Sequence, residues 1–277
     1  MDWVGSLNRA IEYIEENLLD DVTCDKVARH VFISSFHLQR TFYLLTGFTL
    51  GEYVRNRRLT LAGQELSKGD ARVIDVAMKY GYDTSESFSK AFSRFHGATP
   101  VQAKKRGTAL KSFNRLTIKI TMEGGIMMDY RIEKRDEFQV VVKVGVFGET
   151  SARDIPAFWD EYFAKGLHTK VPGAIGICGE EMEDGTFQYG IGSPMENAKG
   201  VPEEFEVWTV PANTWAVFKS VGAMPNAIQD LWKRIYSEWL PQSKYEMAKG
   251  YDFEYYTAGD TSSPDYISEI WIPVKEK

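Results

Sequence analysis

Apolar residues recur at helical spacing from the start of the chain. Leu7, Ala10, Ile11, Ile14 and Leu18 fall on one side of a helical wheel, and Glu12, Glu15 and Glu16 fall elsewhere on it. In LDDVTCDKVARHV, Thr23 is placed to cap a short helix. Ser34 can cap a second short helix with Leu38, Thr41, Phe42 and Leu45 on one face and Gly47 as its stop signal. Leu50 to Leu66 reads as a longer helix carrying Arg55, Arg57 and Arg58. The pattern then returns: VARHVFISSFHLQRTF begins at Val27 and VAMKYGYDTSESFSKAF at Val76. Leu38, Phe42 and Leu45 match Phe88, Phe92 and Phe95, Arg40 matches Lys90, and Ser34 matches Thr84, all at an offset of 50 residues. The preceding helices are offset by 49, so the second turn is one residue longer.

Beyond residue 107 the period changes. RLTIKI is strand-like, and Gly124 and Gly125 mark a boundary. From Asp129 a strand (FQVVVKVGVF), a helix (IPAFWDEYFAKG) and two strands (GAIGICGEE, GTFQYGIG) follow in order. The order returns as WAVFKSVG, AIQDLWKRIYSEWL, DFEYYTAG and YISEIWIPV, with FWDEYF aligned on LWKRIY and Pro194 on Pro273. Two βαββ repeats predict an antiparallel sheet with helices on one face, an α+β domain.

A short helix, a tight turn and a second amphipathic helix make a helix-turn-helix, whose second helix can enter a major groove. The open face of the first such helix, just after Ser34, carries Ser35, Phe36, Gln39, Arg40 and Tyr43. Gln39 suits adenine, Arg40 suits guanine and Phe36 suits a thymine methyl. In the second unit the face after Thr84 carries Ser85, Glu86, Ser89 and Lys90. Glu86 can accept from cytosine but repels phosphate, so this unit should read more weakly.

The net charge of −6 argues against nucleic acid until it is divided along the chain. Residues 1–119 carry a net +5 and residues 120–277 a net −11. That asymmetry fits an anion-binding half and a half with another task. Six of the seven Trp lie in the acidic half, which suits an aromatic-lined pocket for a lipophilic cation. No apolar run approaches a membrane span, and the acidic N-terminal helix is no signal peptide. Cys24 and Cys178 are far apart and no metal-ligand spacing occurs, so neither metal, cofactor nor disulfide is expected. The expected location is the cytoplasm.

The tandem unit resembles the AraC/XylS-type DNA-binding domain in its stand-alone Mar/Sox/Rob style. The residues that carry this are Ser34, His37, Leu38, Arg40, Phe42 and Gly47, then Ala77, Gly81, Tyr82, Ser87, Phe88, Phe92, Gly97 and Pro100. The resemblance covers about residues 5–107 and implies seven helices, with a long central helix setting two recognition helices in successive grooves. It matches Phe36, Gln39 and Arg40 to base-contacting positions of the first unit, and Lys90 to a basic position of the second. Phe32 departs from it where a glycine is usual, Glu86 where a neutral amide is common, and Ala103 where an aromatic is usual. Residues 128–275 resemble the GyrI-like effector-binding domain, on the closing segments YDFEYYTAG and YISEIWIPV. This second resemblance implies a ligand cleft between the repeats, lined by aromatics around an acidic residue, with Glu269 at the acidic position. Period-two alternation puts Ile267, Glu269 and Trp271 on one strand face and pairs Glu254 with Tyr256 on the preceding strand. Tyr189, Trp215, Tyr256 and Trp271 are the candidate aromatic walls.

The expected organisation is therefore an all-α DNA-binding domain at 1–107, a linker at 108–127 and an effector-binding α+β domain at 128–277. The expected function is a sequence-specific transcription regulator that binds promoter DNA and a small lipophilic, cationic effector, one chain covering two half-sites. RNA polymerase is a further candidate partner and a membrane is not. No nucleophile elbow, P-loop or dinucleotide fingerprint is present, so an enzyme is not expected. The alternatives are a hydrolase acting in the C-terminal cleft and a ligand-free DNA-bound partner protein.

Overall fold

This computed structural model describes residues 3–118, 128–148, 154–182 and 186–277, without the side chains of Trp3, Val4, Phe36, Glu180 and Glu181. The chain divides into a compact helical unit, Gly5–Ile118, and a second unit formed mainly by Lys119–Lys277.

The helical unit holds α1 (Trp3–Glu16), α2 (Cys24–Val31), α3 (Ser35–Thr46), α4 (Leu50–Leu66), α5 (Val73–Lys79), α6 (Ser85–His96) and α7 (Pro100–Ala103). Its boundaries follow from local chemistry. Thr23, Ser34 and Thr84 each accept from the backbone N–H three residues on, which satisfies one orphan donor of the first turn. Thr49 with Glu52, and Thr99 with Gln102, form full capping boxes. Gly47 and Gly97 end α3 and α6 in the left-handed region. Leu38 and Phe42 of α3, and Phe88 and Phe92 of α6, are fully buried. α4 carries both cores, packing on α3 and also on α5 and α6.

The two helix-turn-helix turns differ as the sequence suggested. Phe32 sits at φ 59°, ψ 39°, and is the one non-glycine residue with positive φ among the described residues. The equivalent Gly81 has φ 82°. In both turns the next residue's N–H reaches back into the helix, Ile33 to Ala28 at 3.1 Å and Tyr82 to Ala77 at 3.0 Å. The first unit thus makes the same turn with a residue whose Cβ strains it.

Residues 108–118, expected as linker, lie on the helical unit. RLTIKI is no strand in its described part, residues 115–118, because its backbone bonds go to α1 and α4. The remainder of that stretch lies outside the described residues.

The second unit is an antiparallel sheet with helices. Its elements are β1 (Tyr130–Arg135), β2 (Phe138–Phe147), α8 (Ile155–Ala164), β3 (Ile175–Glu181), β4 (Phe187–Pro194), β5 (Glu206–Val210), β6 (Asn213–Val221), α9 (Asn226–Arg234), β7 (Tyr245–Met247), β8 (Asp252–Tyr256) and β9 (Ile267–Glu276). The strand order is β1-β6-β9-β8-β3-β4-β2-β5, with β7 paired to β9. The two βαββ repeats are β2-α8-β3-β4 and β6-α9-β8-β9, and they meet where β3 pairs with β8. β1, β5 and β7 are additions that the repeat pattern did not announce.

Cross-strand partners share a sheet face. One face carries Val140, Val142, Ile175, Ile177, Trp215, Val217, Phe253 and Trp271 in a single core. Phe138 of β2 and Phe253 of β8 are three places apart in the sheet, about 14 Å if it were flat. Their ring centroids are 6.1 Å apart, so this face is strongly concave. The opposite face receives α8 and α9. The segment after α9 continues as a π-helical turn, Ile235–Trp239.

Candidate DNA interface and effector groove

α3 and α6 present different surfaces. On α6, Ser85, Glu86 and Lys90 are exposed, as expected of the open face, and Ser89 is half-buried with its hydroxyl donating to the Ser85 carbonyl. Thr84 is engaged as cap, and Glu86 pairs with Lys90 at 2.8 Å. On α3, Ser34 caps the helix and remains exposed, Arg40 is half-buried and Tyr43 is exposed. Two residues placed on the open face are turned inward. Ser35 is buried because its hydroxyl donates to Asp25 of α2 at 2.5 Å. Gln39 is also buried, at 8% exposure. The Phe36 side chain lies outside the described residues.

The three arginines of α4 divide the labour. Arg57 is clasped by Glu15 of α1 at 2.8 Å, with both side chains 12% exposed. Burial pushes the Glu15 carboxyl up, but bonds from Arg57 and Tyr53 and the Arg57 charge hold it below the usual range. Arg58 donates to the carbonyls of Leu18 and Asp20. Arg55 is exposed.

In the second unit the predicted ligand residues separate into two groups. Glu269 pairs across strands with Tyr255, and Ser268 with Tyr256. Glu269 therefore lies on the face opposite to Tyr256. It is held there by Arg131 through two bonds of 2.7 and 3.2 Å, and it accepts from the Trp271 indole at 3.0 Å. Trp215 and Trp271 are concave-face core, 1% and 6% exposed. Glu269, Trp215 and Trp271 thus do not line a cleft with Tyr189 and Tyr256. The cause is the alternation itself, which sends Ser268 and Ile270 toward the helices and Glu269 away from them.

The acidic residue between the helices is Glu254. Trp232 of α9 donates to its Oε1 at 2.6 Å, and Tyr256 donates to its Oε2 at 2.6 Å. Trp159 of α8 meets the Tyr256 ring edge-on, with centroids 5.1 Å apart, and donates to Tyr189 Oη at 3.0 Å. Tyr236 stacks on Trp232. The floor between α8 and α9 is thus a half-buried carboxylate with one tryptophan wall from each repeat. Gly176, directly across from Glu254, leaves room for Tyr189 and Trp159. The pairing of Glu254 with Tyr256 was readable in the sequence; the approach of Trp159 and Trp232 was not. A cavity of about 400 Å³ lies elsewhere, at the β1–β2 turn beside Arg135, Phe138 and Met195. No cluster that could hold a metal is present among the described residues, and no helix is long and apolar enough to cross a membrane.

A tandem helix-turn-helix unit joined to a sheet unit whose two repeats bring Trp159 and Trp232 to one carboxylate-bearing face is the architecture of a DNA-binding regulator with an effector-binding domain. Family comparison agrees in both halves. Residues 27–106 match the helix-turn-helix domain model HTH_18, and residues 131–274 match Cass2, described as integron-associated effector binding protein. The transcriptional regulator Rob of Salmonella typhimurium is 23% identical over 99% of this chain and 100% of its own length. The regulatory protein SoxS of the same organism is 40% identical over 35% of this chain and 90% of its own. A solved structure of SAV2435 bound to tetraphenylphosphonium is 26% identical, covers 53% of this chain and 94% of its own, and has a TM-score of 0.48. The chain belongs to the AraC-type transcription regulators of the Rob, SoxS and MarA kind, and carries a Cass2/GyrI-like effector-binding domain.

Proposed function

We propose that this regulator binds specific promoter DNA through α3 and α6, and that a small lipophilic cation enters the groove between α8 and α9, with Glu254 reading its charge. The observation that carries the effector reading is the Glu254 carboxylate flanked by Trp232, Tyr256 and Trp159. A partly desolvated carboxylate beside aromatic faces is favourable for a cation and unfavourable for an anion. Relatives such as Rob and SoxS are transcriptional regulators, which supports regulation over catalysis. At a promoter the regulator would act through RNA polymerase.

Calorimetric titration with tetraphenylphosphonium, and with neutral triphenylphosphine oxide as control, tests the groove. Glu254→Gln should weaken the cation by roughly 1.5–3 kcal/mol, as for a contact with a charged group, and leave the neutral compound nearly unchanged. Glu269→Gln should change neither. Equal loss of both compounds in Glu254→Gln would show that the residue shapes the groove without reading charge. On the DNA side, Arg40→Ala should reduce specific over random binding by about 1–3 kcal/mol, and Lys90→Ala by less. An unchanged ratio for Arg40→Ala would remove α3 from base reading at that position.

A further inference from the structure

The two helix-turn-helix units are joined through α4, but a second connection runs beside it. Leu110 packs with the core of the second unit. Phe113 lies against Phe48 and Tyr53, with ring centroids 5.0 and 5.9 Å apart. Its N–H donates to Thr60 Oγ1 at 2.9 Å, and its carbonyl accepts from Arg57 at 2.6 Å. The Leu116 N–H donates to Tyr53 Oη at 3.3 Å. Ile118 and Asn8 of α1 exchange two bonds, of 3.1 and 2.9 Å. Between residues 110 and 118 the chain therefore passes from the second unit's core, along α4, to the first helix of the unit.

Ordering an extended segment costs backbone entropy at every residue. Here the return is a set of contacts that reaches both halves of the DNA-binding unit. A tandem reader must present its helices one turn of DNA apart, about 34 Å. A single connecting helix can bend and let its ends swing, and a second tie on its flank restricts that swing. We propose that residues 110–118 are a strap that fixes the spacing of α3 and α6, with Asn8 and Phe113 as its positioning residues. Asn8 holds the last residue before the unit boundary.

The test uses the full chain and the DNA site it enriches from random sequence, compared with the same site carrying one inserted base pair between its halves. The insertion moves one half by about 3.4 Å and rotates it. Wild type should bind the inserted site about tenfold more weakly, a loss on the scale of one mismatched base pair. The double variant Phe113→Ala, Ile118→Pro should shrink that ratio to about threefold or less while single half-site affinity is kept, since the base-reading faces are unaltered. Amide exchange at residues 113–117 reports whether the strap has been released. Asn8→Ala, which removes only the clasp on Ile118, is the milder companion and should give an intermediate ratio. Phe113→Leu keeps an apolar anchor and should restore the wild-type ratio. A released strap with the full tenfold discrimination would overturn the proposal, as would a wild type indifferent to the insertion. Amides still protected in the double variant would overturn the assignment of these contacts as the hold.

Discussion

Trp159 and Trp232 occupy equivalent positions on the helices of the two sheet-unit repeats, yet their indole N–H groups end on different partners. Trp159 donates to the neutral hydroxyl of Tyr189, and Trp232 to the carboxylate of Glu254. The floor beneath them is divided in the same way. Gly176 and Glu254 are cross-strand neighbours, so one repeat supplies an acid where the other supplies no side chain. A Cβ on Gly176 would lie 2.1 Å from Tyr189 Oη, which is why nothing larger is accepted there. Duplication provides two similar walls, and the chemistry comes from the position at which the copies differ. The helical unit teaches the same lesson through its turns, where Gly81 and Phe32 hold one backbone shape at different cost.

The largest effect should come from removing each indole N–H in turn. Trp232→Phe strips a donor from a charged acceptor, and Trp159→Phe strips one from a neutral hydroxyl. Bonds to charged groups contribute about 1.5–3 kcal/mol and neutral ones about 0.5–1.5. Trp232 is 2% exposed, so little water can replace its N–H beside Glu254. Urea unfolding should therefore rank Trp232→Phe as the more destabilising by at least about 1 kcal/mol. Equal losses would mean that the two walls are energetically alike and that Glu254 is satisfied from elsewhere.

How much of this was readable in the sequence depends on the range of the signal. Caps at Thr23, Ser34 and Thr84 and the stop at Gly47 are local, and each is where the residues placed it, whereas the turn at Phe32 was marked only by the family resemblance. The repeats were readable because the helices and closing strands recur in order. Period-two alternation also paired Glu269 with Trp271 and Glu254 with Tyr256. It could not say which of those two faces meets the helices, because that is settled by strand order and by the curl of the sheet. Ser35 and Gln39 were misplaced for a related reason. The helical wheel defines an outer side, but the tight turn brings Asp25 of α2 close enough to draw Ser35 inward. The strap carries apolar residues without a clear period, and only its partners on α1 and α4 give it form.

A smaller effect should sharpen the comparison of the two turns. Phe32 is 81% exposed, so its ring gains little from burial while its backbone bears the left-handed conformation. Phe32→Gly should stabilise the helical unit by about 1 kcal/mol, the usual scale of a left-handed penalty less the entropy that glycine adds to the unfolded chain. Gly81→Ala should act in the opposite direction by a similar or larger amount. Its new Cβ would lie 2.8 Å from the Arg58 guanidinium, which is itself bonded to the carbonyls of Leu18 and Asp20. Melting temperatures of the two variants read the signs directly. If Phe32→Gly destabilised, the exposed ring would have a contact that offsets its strain.

The smallest effect separates the two helix-turn-helix units by pH. In the second, His96 is buried at the end of α6, with its Nε2 2.9 Å from the Leu59 carbonyl of α4. Burial favours the neutral ring and lowers its pKa from the ordinary 6.5. The Lys111 charge on the strap acts in the same direction, whereas the backbone bonds to Leu59 and Lys111 oppose it. As pH falls, the unfolded chain takes up this proton first. The stability contributed by neutral His96 is thus complete above about pH 6.5, is lost as pH falls toward the lower folded value, and then levels off. In the first unit the corresponding group is Glu15, whose carboxyl is held below its ordinary 4.5 chiefly by Arg57 and Tyr53 against the cost of burial. Its contribution is complete above that value and is lost only in stronger acid. Moving from about pH 7.5 to about pH 5.5 crosses the histidine range and leaves the carboxylate ionised. Amide exchange, corrected for intrinsic rates, should then show protection falling in α6 more than in α1. His96→Gln, which cannot titrate, should abolish the difference between the helices. Equal loss of protection in α1 and α6 of the wild type would mean that the units open together and that His96 does not set the acid response.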